Sequence, residues 1–169
     1  LPGVHAVLTG DDARRLSSPM KPIIPIPIAP QNYCLATDTV RYMGEPVAAV
    51  AAVTRAVAED ALDRIAVAYE PLEPVVDPEE ALRPGAPLLY PELGHNVVWH
   101  DAFTYGDVEG AFAGADLVVS ERFTIHRYSS TPLETFGVMA QEDRGTGVMT
   151  IWSNDGRPGL TSGTVAAAL

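Results

Sequence analysis

The sequence has a single cysteine, Cys34, in 169 residues. An internal disulfide is thereby excluded, and a lone thiol fits a reducing compartment. Cys34 reads as a half-buried thiol, since no histidine stands near it in sequence to activate a nucleophile. His5, His95, His100 and His126 have no close-set cysteine, histidine or carboxylate at a zinc-type spacing. No metal held by side chains is expected. Basic residues are scarce too: 11 Lys and Arg against 22 Asp and Glu leave a formal charge of −11. Such a chain repels phosphate backbones, so nucleic acid is not an expected partner. No apolar run approaches the roughly 20 residues that span a bilayer, and no basic stretch precedes a hydrophobic one. Neither a membrane span nor a signal peptide is expected. GxGxxG is absent, as are GxxxxGKS and GxxxxGKT, so no nucleotide cradle is written here.

What is present is the composition of a folded chain, 47% hydrophobic. "VHAVLTG" (Val4 to Gly10) predicts a strand, and Asp11 and Asp12 suit the start of a short helix through Leu16. "PMKPIIPIPIAP" (Pro19 to Pro30) holds five prolines, each fixing φ and removing a donor, which predicts an extended connector packed through its isoleucines. "EPVAAVAAV" (Glu45 to Val53) predicts a buried strand, and Thr54 stands where a helix N-cap belongs. In "TRAVAEDALDRIAV" one face gathers Val57, Ala58, Ala61, Leu62 and Ile65, while Asp60 and Arg64 have the spacing of an ion pair. "IAVAYEPL" then alternates as a strand closed by Pro71. Residues 77 to 106, rich in proline and turn formers, predict a long surface crossing. Asp107 caps a short helix, "VEGAFAGA", with Val108, Ala111 and Phe112 inward. "DLVVSERFTIHRY" and "FGVMAQED" read as strands, and "RGTG" (Arg144 to Gly147) as a hairpin turn into "VMTIWS". The start at Leu1 without Met and the unfinished helical "GTVAAAL" at the end read as an excerpt of a longer polypeptide.

The residues alone supply no catalytic motif. Ser129, Ser130 and Thr131 stand near His126, but residues three apart on a strand point to opposite faces, which favours a polar strand end over a nucleophile and base. Glu134, in the otherwise uncharged "STPLET", reads as a buried structural acceptor rather than a general base.

The words of the sequence are more informative than its chemistry. "LPGVHAVLTGDD", "TDTVRYMGEPVAAVAAVTRAVAEDALDRIAVAYEPLEPVVDPEEAL" and "GDVEGAFAGADLVVSERF", in that order, resemble the molybdopterin-containing large subunit of the molybdenum hydroxylases, the xanthine dehydrogenase and aldehyde oxidase family. "HRYSSTPLETFGVMAQED" and "MTIWSNDGRP" are similar in particular to its carbon monoxide dehydrogenase large-subunit branch. The resemblance implies an α+β chain: a hammerhead-type α/β domain over residues 1–82, a proline-rich crossing over 83–106, and the start of a mixed, largely antiparallel molybdopterin-binding domain over 107–169. It implies oxidation of a small carbon substrate at molybdenum held by molybdopterin cytosine dinucleotide. Electrons would leave through an iron–sulfur small subunit and an FAD medium subunit, in a cytoplasmic dimer of heterotrimers. It also implies that the glycine-rich pterin loop, the catalytic glutamate and the active-site cysteine lie beyond Leu169, so that no catalytic residue falls in this excerpt and the excerpt alone is inactive.

One slot departs from the pattern. The family carries a glutamine beside the apical oxygen of the molybdenum centre, in the loop after the strand matching "MTIW". Counted from Trp152 and anchored on Pro158, that slot holds Gly156, which has no side chain to donate. Asn154, Arg157 or a water would take its place. The alternative is a non-catalytic assembly or docking module, a split-gene piece or degenerate paralogue.

Overall fold

The computed structural model of the chain describes residues 1–22, 26, 29–126, 128–129 and 131–169. Most of the isoleucines and the central prolines of the predicted connector lie outside the described residues, as does Ser130. The elements run β1 (Val4–Thr9), α1 (Gly10–Leu16), β2 (Ala48–Ala52), α2 (Arg55–Leu62), α3 (Val108–Ala113), β3 (Val138–Asp143), β4 (Val148–Ser153) and α4 (Pro158–Ala168), with short 3₁₀ turns at Glu80–Leu82 and Pro91–Leu93. Helices mix with antiparallel strands, the expected α+β class. The chain forms two compact units, Leu1–His100 together with Arg157–Leu169, and Asp101–Gly156.

In the first unit β1 and β2 pair antiparallel from Val4↔Ala52 to Thr9↔Ala48, with an irregularity between Val4 and Ala6. α2 packs on both strands. Its start is fixed by Thr54, whose hydroxyl accepts the Val57 N–H at 3.3 Å. The start of α1 is fixed by Asp12, whose carboxylate accepts the Thr9 N–H at 3.0 Å and the Thr9 hydroxyl at 3.1 Å. That backbone donor, and then Arg15 at 2.8 Å, hold the Asp12 carboxyl below its ordinary value.

Three expectations for this unit are corrected. β2 was expected to be buried throughout, but only Ala48, Val50 and Ala52 are half-buried while Ala49 and Ala51 are exposed, because a two-stranded sheet with one helix packed on it is covered on one face. "IAVAYEPL" forms no strand, and Val67 and Tyr69 lie exposed. Period-two alternation records which face a residue prefers, not whether a neighbouring edge exists to pair with. The ion pair on α2 is Arg55–Glu59 at 2.7 Å instead of Asp60–Arg64, since the helix closes at Leu62 and Arg64 falls in the turn beyond it.

Among the described residues the buried apolar side chains are Ala13, Leu35 and Ala61. So small a core leaves the long connections to be held by polar contacts. Arg41 is the principal one. Its Nε donates to Leu89 O at 2.9 Å, one terminal nitrogen donates to Thr39 O at 3.0 Å, and the guanidinium lies 4.6 Å from the centre of the Tyr90 ring. The Tyr90 hydroxyl donates in turn to Asn32 Oδ1 at 2.8 Å. Further along, the Asn96 amide accepts from Leu89 N at 3.1 Å and donates to Pro87 O at 2.9 Å and Ala81 O at 3.1 Å. Thus the stretch from 77 to 100, within the crossing expected over 77–106, is tied down by one arginine and one asparagine. Ser18 N donates to Ala168 O at 2.7 Å, which joins α4 to the segment after α1.

Gly10 is the most tightly packed of the unit's described glycines. A Cβ there would stand 2.0 Å from Ala36 O and 2.6 Å from the Thr37 Cα, both backbone atoms. Gly10→Ala therefore forces the 36–37 segment away from α1, and its expected cost is about 1–3 kcal/mol, typical of overpacking. Thermal unfolding of the variant should show a clearly lowered midpoint; an unchanged one would mean that the segment does not lie against α1.

Candidate functional site

The second unit carries Asn154 and Gly156 just beyond a hairpin. β3 and β4 pair antiparallel without interruption from Val138↔Ser153 to Asp143↔Val148. The turn between them, Arg144 to Gly147, is the one read from "RGTG". Gly147 has φ +71, and its N–H donates to Asp143 O at 2.7 Å. Asp143 does more than end a strand: its Oδ1 accepts Gly145 N at 2.8 Å and Thr146 N at 3.3 Å. The Gly145 N–H first, then the Thr146 hydroxyl and N–H, lower the Asp143 pKa from its ordinary 3.8.

The chain leaves the sheet at Asn154. Asn154 Oδ1 accepts Gly137 N at 3.2 Å, and Nδ2 donates to Thr135 O at 2.9 Å, so the carboxamide is committed to the backbone just before β3. Asp155 is half-buried, and Gly156 is exposed. A Cβ built on Gly156 meets nothing within 4 Å, and its φ lies outside the left-handed region. The slot therefore has no steric need for glycine. Arg157 is exposed and is the N-cap residue of α4, its carbonyl accepting Leu160 N at 3.0 Å and Thr161 N at 3.2 Å. Pro158 follows as the first helical residue, where its missing donor costs nothing. Gly156 is therefore open on its side-chain face, and Arg157 follows it as the cap of α4.

The other candidates are not brought together. Residues 116–128, predicted as a strand, form none among the described residues, and Phe123 and Ile125 are exposed. The hydrogen bonds of Ser129 run to Thr131, from Thr131 N to its hydroxyl at 3.4 Å and from the Thr131 hydroxyl to its carbonyl at 3.3 Å. Thr131 has φ +39, outside extended geometry, so it does not continue the strand end expected. Glu134 is exposed rather than buried. Cys34 is likewise exposed and not half-buried. Val108 and Phe112, expected inward, line an open groove of about 530 Å³ with Tyr105, Leu117 and Val119. The one carboxylate on that groove, Asp107, accepts Gly110 N at 2.9 Å as the cap of α3, so the groove carries no chemistry. Among the described residues no three His, Cys, Asp or Glu side chains are grouped to hold a metal ion, and no helix is long and apolar enough to cross a membrane.

Asp143 was missed in the sequence, and Asn154, expected as a substitute for the glutamine, bonds backbone instead. Asp143 and Asn154 each stand at a strand end, where Asx side chains bond backbone in place of the ladder, and that position was the signal available.

The chain matches two family models in succession. Residues 1–73 match the a/b hammerhead domain of aldehyde oxidase and xanthine dehydrogenase, and residues 89–169 match the molybdopterin cofactor-binding domain. It is 36% identical over 157 residues to the 6-hydroxypseudooxynicotine dehydrogenase complex subunit gamma of Paenarthrobacter nicotinovorans, covering 89% of this chain and 20% of that one. It is 36% identical over 165 residues to the carbon monoxide dehydrogenase large chain of Afipia carboxidovorans, covering 90% of this chain and 20% of that one. The crystal structure of quinoline 2-oxidoreductase from Pseudomonas putida 86 superposes with a TM-score of 0.74 at 34% identity, over 90% of this chain and 20% of that one. The chain thus spans about a fifth of the length of the relatives it matches.

The Asp143 cap carries a sign that can be tested. Its carboxyl is depressed in the folded hairpin, so its contribution is present above pH about 4 and is lost as pH falls through the folded value. Titration of the Asp143 carboxyl carbon by NMR should give a midpoint below 3.8, and Asp143→Ala should abolish the acid dependence of Gly145 amide protection. A midpoint at or above 3.8 would show that the cap does not form.

Proposed function

Because the chain belongs to the molybdenum hydroxylase large subunits of the xanthine dehydrogenase and aldehyde oxidase family, we propose that it is the amino-terminal part of a molybdopterin-dependent oxidoreductase. The observation that carries this reading is the pair of domain matches in the family's order, separated only by residues 74–88. The substrate is a small carbon compound, and electrons leave to iron–sulfur and FAD subunits in a cytoplasmic assembly. The domains are divided at residues 1–82 and 107–169, with 83–106 as the crossing. The cofactor is the cytosine dinucleotide form, and it supplies the two-electron oxidation that no side chain here performs.

This chain's own share is positional. Gly156 stands in the slot of the family glutamine and contributes space and a backbone N–H, not a side-chain amide. Arg157 contributes charge next to it, and Asn154 holds the loop's origin. Residues 1–169, about a fifth of the length of the relatives, are inactive alone. The commitment of the Asn154 carboxamide to Thr135 and Gly137 lends support to the second reading, a non-catalytic assembly module, because it ties down the nearest replacement amide.

The deciding measurement is molybdenum per polypeptide, by elemental mass spectrometry, on the full-length protein purified with whatever subunits accompany it. The expected result is close to one metal per large subunit, with Gly156→Gln leaving the melting temperature unchanged because its Cβ enters open space. Metal-free protein from a host that loads related enzymes would instead establish the assembly module.

A further inference from the structure

The β3–β4 ladder ends at Val138↔Ser153, so the next facing pair is Gly137 and Asn154. At that point no main-chain bond continues the ladder. Instead the Asn154 carboxamide takes over, accepting Gly137 N at 3.2 Å and donating to Thr135 O at 2.9 Å. One planar group thus offers an acceptor and a donor, as a peptide unit of a continuing strand would. Aspartate lacks the donor, serine lacks the reach, and alanine lacks both. The side chain satisfies the backbone of 135–137, while the main chain is released from the sheet at a fixed residue and turns into Asp155 and Gly156. A strand that frayed gradually would leave those two residues without a defined origin.

We infer that Asn154 is a positioning residue for the proposed molybdenum site: it acts through the loop it starts, fixing where Gly156 stands, without touching the cofactor. This rests on the reading that Gly156 lies beside the molybdenum centre.

The test uses the full-length, metal-loaded protein with its subunits, comparing wild type with Asn154→Ala and Asn154→Asp. Hydrogen exchange at the Gly137 amide should rise roughly tenfold in the alanine variant, in line with loss of one exposed hydrogen bond, and stay near wild type in the aspartate variant, which keeps the acceptor. Metal content and melting temperature should hold in both. The Mo(V) electron paramagnetic resonance signal of the reduced protein should shift in the alanine variant, with kcat lowered and KM retained. Unchanged Gly137 exchange in that variant would overturn the clamp. Raised exchange with an unaltered resonance signal would overturn the positioning role, leaving a local strand end. Wild-type protein without molybdenum would overturn the underlying reading and the positioning role with it, while the exchange measurement still reported on the clamp.

Discussion

The first unit depends on one guanidinium. Among the described residues, three buried apolar side chains, two of them alanines, cannot by themselves hold a chain whose connections are longer than its elements. Arg41 supplies what they lack by reaching backbone at Thr39 and Leu89 and lying over Tyr90, which in turn bonds Asn32. A lysine would keep the charge but lose the fork that serves two carbonyls and the flat face that stacks. Arg41 is also only 15% exposed at its side chain, so its bonds are less weakened by water than those of the ion pairs on the helix surfaces. The tight turn of Tyr42 to Glu45, with Gly44 at φ +87, then sends the chain back into β2.

The second unit is held differently. Its hairpin is closed by an Asx turn at Asp143 and by an amide clamp at Asn154, one at each end of an uninterrupted ladder. Both devices are short polar side chains replacing backbone partners. They fix the ends of the strands without help from a core, and they are why the loop toward Gly156 has a defined start.

What the sequence revealed divides along the same line. Where a signal was local, the reading succeeded: Thr54 and Asp107 as caps, the strand and helix on either side of Thr54, the four-residue turn ending at Gly147. Where the outcome depended on a partner surface, it did not. "IAVAYEPL" and the stretch around Phe123 have strand-like alternation but find no edge among the described residues, and Glu134 and Cys34 had no cover to bury them. The family was legible because five blocks of words in order constrain far more than periodicity does. The site was legible only as a slot: counting to Gly156 required the resemblance, whereas the two hydrogen bonds of Asn154 required coordinates.

The bare faces of the hairpin have a consequence for how it is made. Its ladder pairs residues five to fifteen positions apart, so it closes on the microsecond scale typical of hairpins. Yet a two-stranded ribbon with Val138, Met139, Val148 and Trp152 exposed gains little by closing, and it must open as readily as it forms. The strands around the Gly156 loop are thus drafted early and many times over. Because the loop toward Gly156 starts from that ribbon, its origin is held only while the ribbon is closed.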